Sequence, residues 1–438
     1  MTYGPRIILC ANMAGAPANA KEARTAWGMA LVVFLVTLSA YIARVNVSVA
    51  LPYISEDFGW STVEEGLYGG LLLGIFLAGY GLSNIFLSPL VDHFGPRKSL
   101  LVAVAVFSLL TFLTGLVGLV FAFLIIARIL LGLAQGIVYP SASKITQAWF
   151  RPRQRSKVNA LHLSAMEWSN LLVPIFLIPI IIMTDWRYAF FAVAILCALV
   201  LVPVFIYLRD CPECERIRKN GRDASLREVM RKAVKDLRAA SRIKGIYLLA
   251  AADAAGNLVW WGVSLWLPTY LKAIGMPPTE VMWVASLPYL GGIAGLLIGS
   301  YISDRTGKVV LVTFVFQMVG ALFVLLLIGT ESAGAIMLVL GAMFFCIALL
   351  PPNAFTLLQG IAPPELMGSA TGIMNGIAVG MGVFGPIILG IAVAATGSYS
   401  TGFIIMAAMQ VLSAVLLLSF LGHERSGRDS ADGAETQA

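Results

Sequence analysis

The sequence predicts an all-α membrane protein whose twelve transmembrane helices form two six-helix bundles. Of its 438 residues, 59% are hydrophobic and 12% are charged, whereas soluble domains carry about 25% charged residues. A helix needs about 20 apolar residues to cross the hydrocarbon core of a bilayer, and twelve apolar segments approach or exceed that length. One long polar segment divides them six and six. These features exclude a water-soluble fold, and also a membrane β-barrel, which would show short alternating segments.

The predicted helices leave two tails and one linker. Residues 1–26 form an N-terminal tail with no apolar run long enough for a secretory signal. The expected boundaries then follow as an N-terminal bundle at 27–208, a linker at 209–244, a C-terminal bundle at 245–421 and a tail at 422–438. The predicted helices are 27–50, 65–89, 99–119, 121–143, 158–181, 187–208, 245–271, 281–303, 309–329, 333–356, 366–393 and 401–421.

Basic residues are concentrated in alternate loops, and this pattern predicts the topology. The loops rich in Lys and Arg are 97–98, 144–157, 209–244, 305–308 and 425–428. The positive-inside rule places these loops and both termini in the cytoplasm, with the helices in the cell inner membrane. The net charge of +7 is therefore explained without a nucleic acid partner. We expect a monomer whose partner is the lipid bilayer.

The linker is predicted to contain one amphipathic helix. Ser225 and Glu228 have the spacing of a capping box, and apolar residues follow at helical spacing from Leu226 to Leu237. Basic residues surround them, as is typical of a helix lying on an anionic membrane surface. A partner-binding role is the alternative.

No metal, cofactor or enzyme chemistry is predicted. Cys211 and Cys214 have the spacing of a metal or redox pair, but the sequence has no second such pair and no nearby His. It also has no nucleophile and base set and no nucleotide-binding loop.

A short motif occurs twice, after helix 2 and after helix 8. The first copy contains Asp92, Gly95 and Arg97, and the second contains Asp304, Arg305 and Gly307. Such a repeat indicates two related halves in parallel orientation. Glycine permits a tight turn, and the acid can bond a neighbouring helix in one conformation and release it in another. We interpret these six residues as a gating motif.

Two arginines within apolar helices are candidate ligand-binding groups. Tyr41 and Arg44 share one face of helix 1, and Arg128 and Gln135 share one face of helix 4. Ionisable groups inside a membrane are costly and indicate function, and guanidinium groups bind carboxylates bidentately. The pattern predicts an anion site in a water-filled cavity, with both arginines in the outer half of the membrane. Alternatively, each arginine bonds backbone carbonyls or anchors helix packing.

Two acids are candidate proton carriers. Asp253 lies in helix 7 with Asn257 and Trp260 on the same face, and Glu167 lies in helix 5. A carboxyl group in low dielectric takes up a proton more readily than one in water, which proton coupling requires. Alternatively, either acid is a hydrogen-bonded group that only joins helices.

The motifs resemble the major facilitator superfamily and, within it, the anion:cation symporter family of galactonate, hexuronate and vesicular glutamate transporters. The likeness covers about 27–421 and includes Tyr41 to Pro52, Asp92 to Lys98 and Arg128 to Pro140. It implies two bundles that rock around a cavity lined by helices 1, 4, 7 and 10. It also implies that Arg44 and Arg128 bind an organic anion and that protons drive most members.

The chain departs from this family at both usual proton carriers. Ala43 stands where members have an acid before the helix 1 arginine, and Gln135 stands where many have a glutamate. Either Asp253 or Glu167 replaces these acids, or the protein exchanges or facilitates without protons.

We therefore predict a secondary transporter of a small carboxylate or sulfonate. The alternatives are an exporter of neutral or drug-like solutes and a receptor that moves nothing. The predicted binding residues are Tyr41, Arg44, Asn46, Arg128, Gln135, Asn257 and Trp260.

Overall fold

The computed structural model describes residues 20–87, 91, 94–118, 120–150, 152–209, 226–330, 332–363 and 366–421. Within these ranges the regular structure is helical and contains no strand. Twelve helices in the same ranges are long and apolar enough to cross a membrane. The predicted fold class is confirmed.

The first six spans, α1 to α6, form the N-terminal bundle. Two of them are composite: α2 contains a π-helical turn, and α4 is broken in the middle. The bounds are α1 Ala20–Phe58, α2 Thr62–Glu64, Glu65–Gly69 and Gly70–Phe86, α3 Pro96–Val117, α4 Phe121–Gln135 and Val138–Trp149, α5 Pro152–Met183, and α6 Trp186–Tyr207.

The last six spans, α7 to α12, form the C-terminal bundle, and three of them are broken. The bounds are α7 Ile246–Ala273, α8 Pro278–Val284 and Tyr289–Thr306, α9 Val309–Leu326, α10 Ala333–Ile347 and Leu350–Ile361, α11 Met367–Met381 and Phe384–Thr396, and α12 Tyr399–Leu418.

A separate helix, Leu226–Ala240, lies in the linker and contacts the first part of α11. Its bounds match the predicted amphipathic stretch, whereas the capping residue Ser225 lies outside the described residues. We call the side of the protein that carries this helix the linker side, and the opposite side the far side.

Helix α1 is longer than the sequence predicts. It was expected to end at residue 50, but it continues through Pro52 to Phe58. Proline inside a spanning helix is tolerated because neighbouring helices satisfy the freed backbone groups. Arg44 consequently lies about 21 Å along the axis from the far-side end. The expectation that helix 1 ends six residues after Arg44 is therefore wrong, whereas the placement of Arg44 in the outer half of the membrane stays a prediction.

Among the described residues, three helix pairs form the most extensive contacts between the bundles: α1 with α7, α2 with α11, and α5 with α8. The α2–α11 contact is very close because glycines of α2 face the backbone of α11. A Cβ atom added at Gly70 would lie 2.8 Å from the carbonyl oxygen of Pro386. The buried core that includes side chains of α1, α2 and α7 is continuous across the bundle boundary.

The two loops that carry the repeated motif both contain a glycine in the left-handed region. Gly95 precedes α3 with φ 86°, and Gly307 ends α8 with φ 60°. Larger residues rarely adopt such angles. Arg97 donates to the carbonyl oxygen of Phe205 in α6 at 2.7 Å. Arg305 donates to the hydroxyl of Tyr301 at 3.2 Å. The side chains of Asp92 and Asp304 lie outside the described part of the chain.

Candidate functional site

Arg44 is enclosed by aromatic rings near the middle of the protein. Its side chain is 3% exposed. The guanidinium carbon lies 4.3 Å from the ring centroid of Tyr41, 4.7 Å from Phe76, 4.5 Å from Tyr80 and 5.6 Å from Trp261. We call these four residues the aromatic cage. Aromatic faces attract a cation, so the cage holds a positive charge away from water.

Arg128 lies beside Arg44, and we call the two residues the arginine pair. Arg128 is 2% exposed, and its guanidinium carbon lies 5.0 Å from the centroid of Phe76. One phenyl ring therefore contacts both guanidinium groups. Arg128 Nη2 donates to the backbone oxygen of Arg44 at 3.1 Å, so the carbonyl contact considered as an alternative for Arg128 is present.

Gln135 connects the arginine pair to α1. Its Oε1 accepts from Arg44 Nη2 at 3.4 Å, and its Nε2 donates to the carbonyl oxygen of Ala40 at 2.9 Å. The predicted shared face of Arg128 and Gln135 on α4 is thus turned towards α1. The oxygen and the nitrogen of the amide each have one protein partner.

The arginine pair keeps several N–H groups without a protein acceptor. Arg44 Nε, Arg128 Nε and Nη1, and Trp261 Nε1 are buried without a hydrogen-bond partner among the described residues. Neither arginine forms an ion pair within the described part of the chain, whereas Arg187 and Lys272 do. Burying an ion without compensation costs several kcal/mol. The arrangement is suited to an anion that accepts from both arginines.

Two of the other predicted binding residues, Asn46 and Trp260, do not face the arginine pair. Asn46 is buried with both amide atoms unpartnered among the described residues, but it points about 200° around α1 from Arg44. Trp260 packs against Phe344 at 5.1 Å between ring centroids and against Tyr289 at 6.3 Å. Its neighbour Trp261, not Trp260, faces Arg44.

Sequence reasoning missed most of the aromatic cage. Of its members, only Tyr41 is among the predicted binding residues, and its hydroxyl lies 3.3 Å from that of Tyr139. Phe76 and Tyr80 are one helical turn apart on α2, and this spacing was the available signal.

The two candidate proton carriers lie in different surroundings, and both are buried. Asp253 Oδ1 accepts from Asn257 Nδ2 at 3.1 Å. Glu167 lies at the α5–α8 contact, and its Oε2 has no partner among the described residues. A Cβ atom added at Gly292 of α8 would lie 2.9 Å from that oxygen. Glycine at this position therefore leaves space for the carboxyl group.

Comparison with known proteins decides the family. The Major Facilitator Superfamily model matches residues 33–386. The chain belongs to this superfamily. Its fold is similar to that of the crystal structure of a D-xylose-proton symporter, with a TM-score of 0.74, 16% sequence identity, and coverage of 91% of this chain and 98% of that one.

Two curated relatives carry names of organic-anion transporters. The chain is 28% identical to the probable sulfoacetate transporter SauU of Cupriavidus necator, over 88% of this chain and 92% of that protein. It is 27% identical to the hexuronate transporter of Bacillus subtilis, over 89% of this chain and 93% of that protein. The resemblance to the anion-transporting branch is confirmed. The protein is a membrane transporter and not an enzyme.

Proposed function

We propose that this transporter carries a small organic anion, a carboxylate or a sulfonate, across the cytoplasmic membrane by alternating access. The observation that carries the proposal is the arginine pair. Arg44 and Arg128 are buried beside one ring, keep unpartnered N–H groups, and have no carboxylate partner among the described residues. Two like charges in such a place repel each other, so a bound anion stabilises both.

Guanidinium chemistry supports a carboxylate or sulfonate over a neutral solute. Arginine stays charged in protein interiors, and its planar fork matches an oxyanion bidentately. The names of the two relatives point the same way. A neutral solute would leave the charge of the arginine pair uncompensated.

The route to the site supports alternating access. The arginine pair is almost completely shielded from solvent, and Trp261 of α7 closes one side of the cage from the opposite bundle. A solute reaches Arg44 only when the bundles separate on one side. We propose that the linker side faces the cytoplasm, in accordance with the basic loops.

Proton coupling, if present, requires a carboxyl group in place of the missing acids at Ala43 and Gln135. Asp253 and Glu167 are the buried acids among the described residues. We propose Asp253 as the first candidate, because it lies on the same helix as Trp261. Exchange without protons is supported by Gln135, because its amide bonds Arg44 and Ala40 but does not exchange a proton as a carboxyl group would.

The test is counterflow of a panel of carboxylates and sulfonates into proteoliposomes. We expect Arg44→Gln and Arg128→Gln each to lower uptake by at least about ten-fold, the loss of one charged hydrogen bond. Arg187→Gln is the matched control, since Arg187 is bound to Asp57 at 2.6 Å near the far-side end of α1. If the Arg44→Gln variant retained full uptake, the proposal that the arginine pair binds the anion would be refuted.

The same vesicles test coupling. With an inward proton gradient, acceleration that disappears in Asp253→Asn or Glu167→Gln identifies the proton carrier. If the proton gradient does not change the uptake rate of the unmodified protein, the protein works by exchange or facilitation.

A further inference from the structure

We propose that Trp261 of α7 donates its indole N–H to the anion held by the arginine pair, so that the bound anion connects the two bundles. The inference rests on the proposed anion transport and adds a binding residue from the C-terminal bundle. It follows from the position of Trp261, from its unpartnered N–H group and from the space beside that group.

Trp261 is the member of the aromatic cage that belongs to the C-terminal bundle. The other three rings lie on α1 and α2 of the N-terminal bundle, as Tyr41, Phe76 and Tyr80. The ring centroid of Trp261 is 5.6 Å from the guanidinium carbon of Arg44, and the residue is 3% exposed. A ligand bound to Arg44 inside the cage therefore lies against this ring.

The indole N–H of Trp261 has no acceptor among the described residues. An indole nitrogen donates and does not accept, and a buried donor without an acceptor destabilises the protein. Trp266, on the same helix, avoids this cost by donating to the carbonyl oxygen of Pro386 at 2.9 Å. The oxygens of an anion at the arginine pair supply the acceptor that Trp261 lacks.

A glycine leaves space beside the edge of the indole that carries this N–H. Gly382 lies at the break of α11. A Cβ atom added there would be 2.8 Å from Trp261 Cδ1, the carbon bonded to the indole nitrogen. A residue with a side chain would displace the ring or cover its N–H. The break in α11 thus keeps the donor of Trp261 uncovered beside Arg44.

Trp261 and the arginine pair move with different bundles when the α1–α7 contact opens. One turn nearer the far side than Trp261, Ser48 Oγ of α1 donates to the carbonyl oxygen of Leu265 of α7 at 2.6 Å. Far-side opening breaks this bond and withdraws Trp261 from Arg44. A ligand shifts a conformational equilibrium by its difference in affinity between the two states. An anion that bonds both bundles therefore favours the state in which the far side is closed.

The first experiment measures binding of sulfoacetate, glucuronate, succinate and ethanesulfonate to the purified full chain. Trp261→Phe keeps a ring beside Arg44 but has no N–H, and we expect affinity to fall about ten-fold, the loss of one hydrogen bond to a charged group. Trp260→Phe is the matched control, because its indole N–H is also unpartnered among the described residues while its ring packs against Phe344. Its affinity should equal that of the unmodified protein.

A third variant separates the hydrogen bond from packing. Trp261→His has a smaller ring than Trp261→Phe but retains a ring N–H. We expect it to bind the four anions more tightly than Trp261→Phe does. If Trp261 only filled space in the cage, the order of the two affinities would be reversed.

A second measurement tests whether the anion connects the bundles. In a chain whose native cysteines are replaced, a cysteine introduced at Tyr53, near the far-side end of α1, is labelled with an impermeant maleimide. We expect saturating anion to slow labelling about ten-fold, the factor by which the N–H raises affinity in the closed state. Trp260→Phe should show the same slowing, whereas in Trp261→Phe saturating anion should leave the labelling rate unchanged.

The outcomes separate the two proposals. If no anion of the panel, these four included, binds to the unmodified protein, the proposed function fails. If anions bind but Trp261→Phe keeps full affinity, or saturating anion slows its labelling as in the unmodified protein, Trp261 is not a donor to the ligand while anion transport stands.

Discussion

Gln135 occupies the position from which a side chain can control Arg44. Its Oε1 is 3.4 Å from Arg44 Nη2, while its Nε2 is bound to the carbonyl oxygen of Ala40. A carboxylate at this position would be an ion-pair partner for Arg44 inside the cage. The neutral amide leaves the charge of Arg44 available to a ligand.

We expect Gln135→Glu to make uptake sensitive to pH. The ionised carboxylate pairs with Arg44 and competes with the anion, whereas the protonated form resembles the amide. Ionisation increases as pH rises, so uptake should decline more steeply with pH than in the parent chain. Initial uptake rates in proteoliposomes between about pH 4 and 8 measure this, a range that includes the ordinary pKa of a glutamate, about 4.3.

Gln135→Leu is the control, because it removes the amide without adding a carboxyl. Its uptake should keep the parental pH profile at a reduced rate. If the Gln135→Glu variant also kept the parental profile, this position would not act on Arg44.

The site was partly predictable from sequence because charge inside a membrane is rare and aromatic rings are not. Arg44 and Arg128 stood out by the cost of burying them. Phe76 did not stand out, because apolar helices contain many aromatic residues. The sequence alone does not show which of these rings face the site and which face lipid. Phe76 is 0% exposed and Phe86, on the same helix, is 59% exposed. Trp260 and Trp261 are adjacent in the sequence, but Trp261 faces Arg44 and Trp260 packs against Phe344.

At the scale of one helix, α2 carries a row of glycines along its contact with α11. A Cβ atom at Gly66, Gly70 or Gly74 would come within 3.0 Å of backbone atoms of α11. Close backbone approach of this kind is typical of helix contacts in membranes. Because α2 and α11 belong to different bundles, the row determines how tightly the bundles close.

We expect Gly70→Ala to loosen this contact. The added methyl would meet Pro386 O at 2.8 Å and Ile387 Cα at 3.3 Å, so α11 must move away. The measurement is labelling of a cysteine introduced at Tyr53, near the far-side end of α1, by an impermeant maleimide. Labelling should become about two- to ten-fold faster, corresponding to about 0.4–1.4 kcal/mol.

Gly334→Ala is the matched control, since a Cβ atom there would have no neighbour within 4 Å. It should leave the labelling rate unchanged. Equal rates in Gly70→Ala and the parent chain would show that the α2–α11 contact does not limit opening.

The number of spanning helices was more predictable than their ends. Long apolar stretches identified all twelve spans, which the structure confirms. The far-side end of α1 was misplaced because Pro52 indicates a stop in a soluble helix but not in a packed spanning helix. The breaks in α4 and α10 had no distinct pattern in hydropathy.

At the scale of the whole molecule, those breaks repeat between the bundles. In both helices a piece of 15 residues is followed by one of 12, as Phe121–Gln135 with Val138–Trp149 and Ala333–Ile347 with Leu350–Ile361. The third residue of each second piece is a proline, Pro140 or Pro352. Proline cannot bond the carbonyl four residues earlier, which here lies in the break. The parallel repeat predicted from two loops thus extends into the helices.

Two ion pairs on the far side differ in what they connect. Lys272 of α7 binds Glu56 of α1 at 2.7 Å, across the bundle boundary. Arg187 of α6 binds Asp57 of α1 at 2.6 Å, inside the N-terminal bundle. Exposed pairs contribute about 0–1 kcal/mol, so neither pair alone holds the protein closed. The two pairs provide matched positions for a covalent cross-link, one between the bundles and one within a bundle.

We expect a short thiol cross-linker between Glu56→Cys and Lys272→Cys to abolish transport in a chain whose native cysteines are replaced. The bridge holds the far side closed, and alternating access requires that side to open. The same reagent between Asp57→Cys and Arg187→Cys joins helices of one bundle, so uptake should persist. Counterflow before and after release of a cleavable linker measures both. Undiminished uptake in the bridged Glu56→Cys, Lys272→Cys protein would mean that solute crosses without separation of the bundles there.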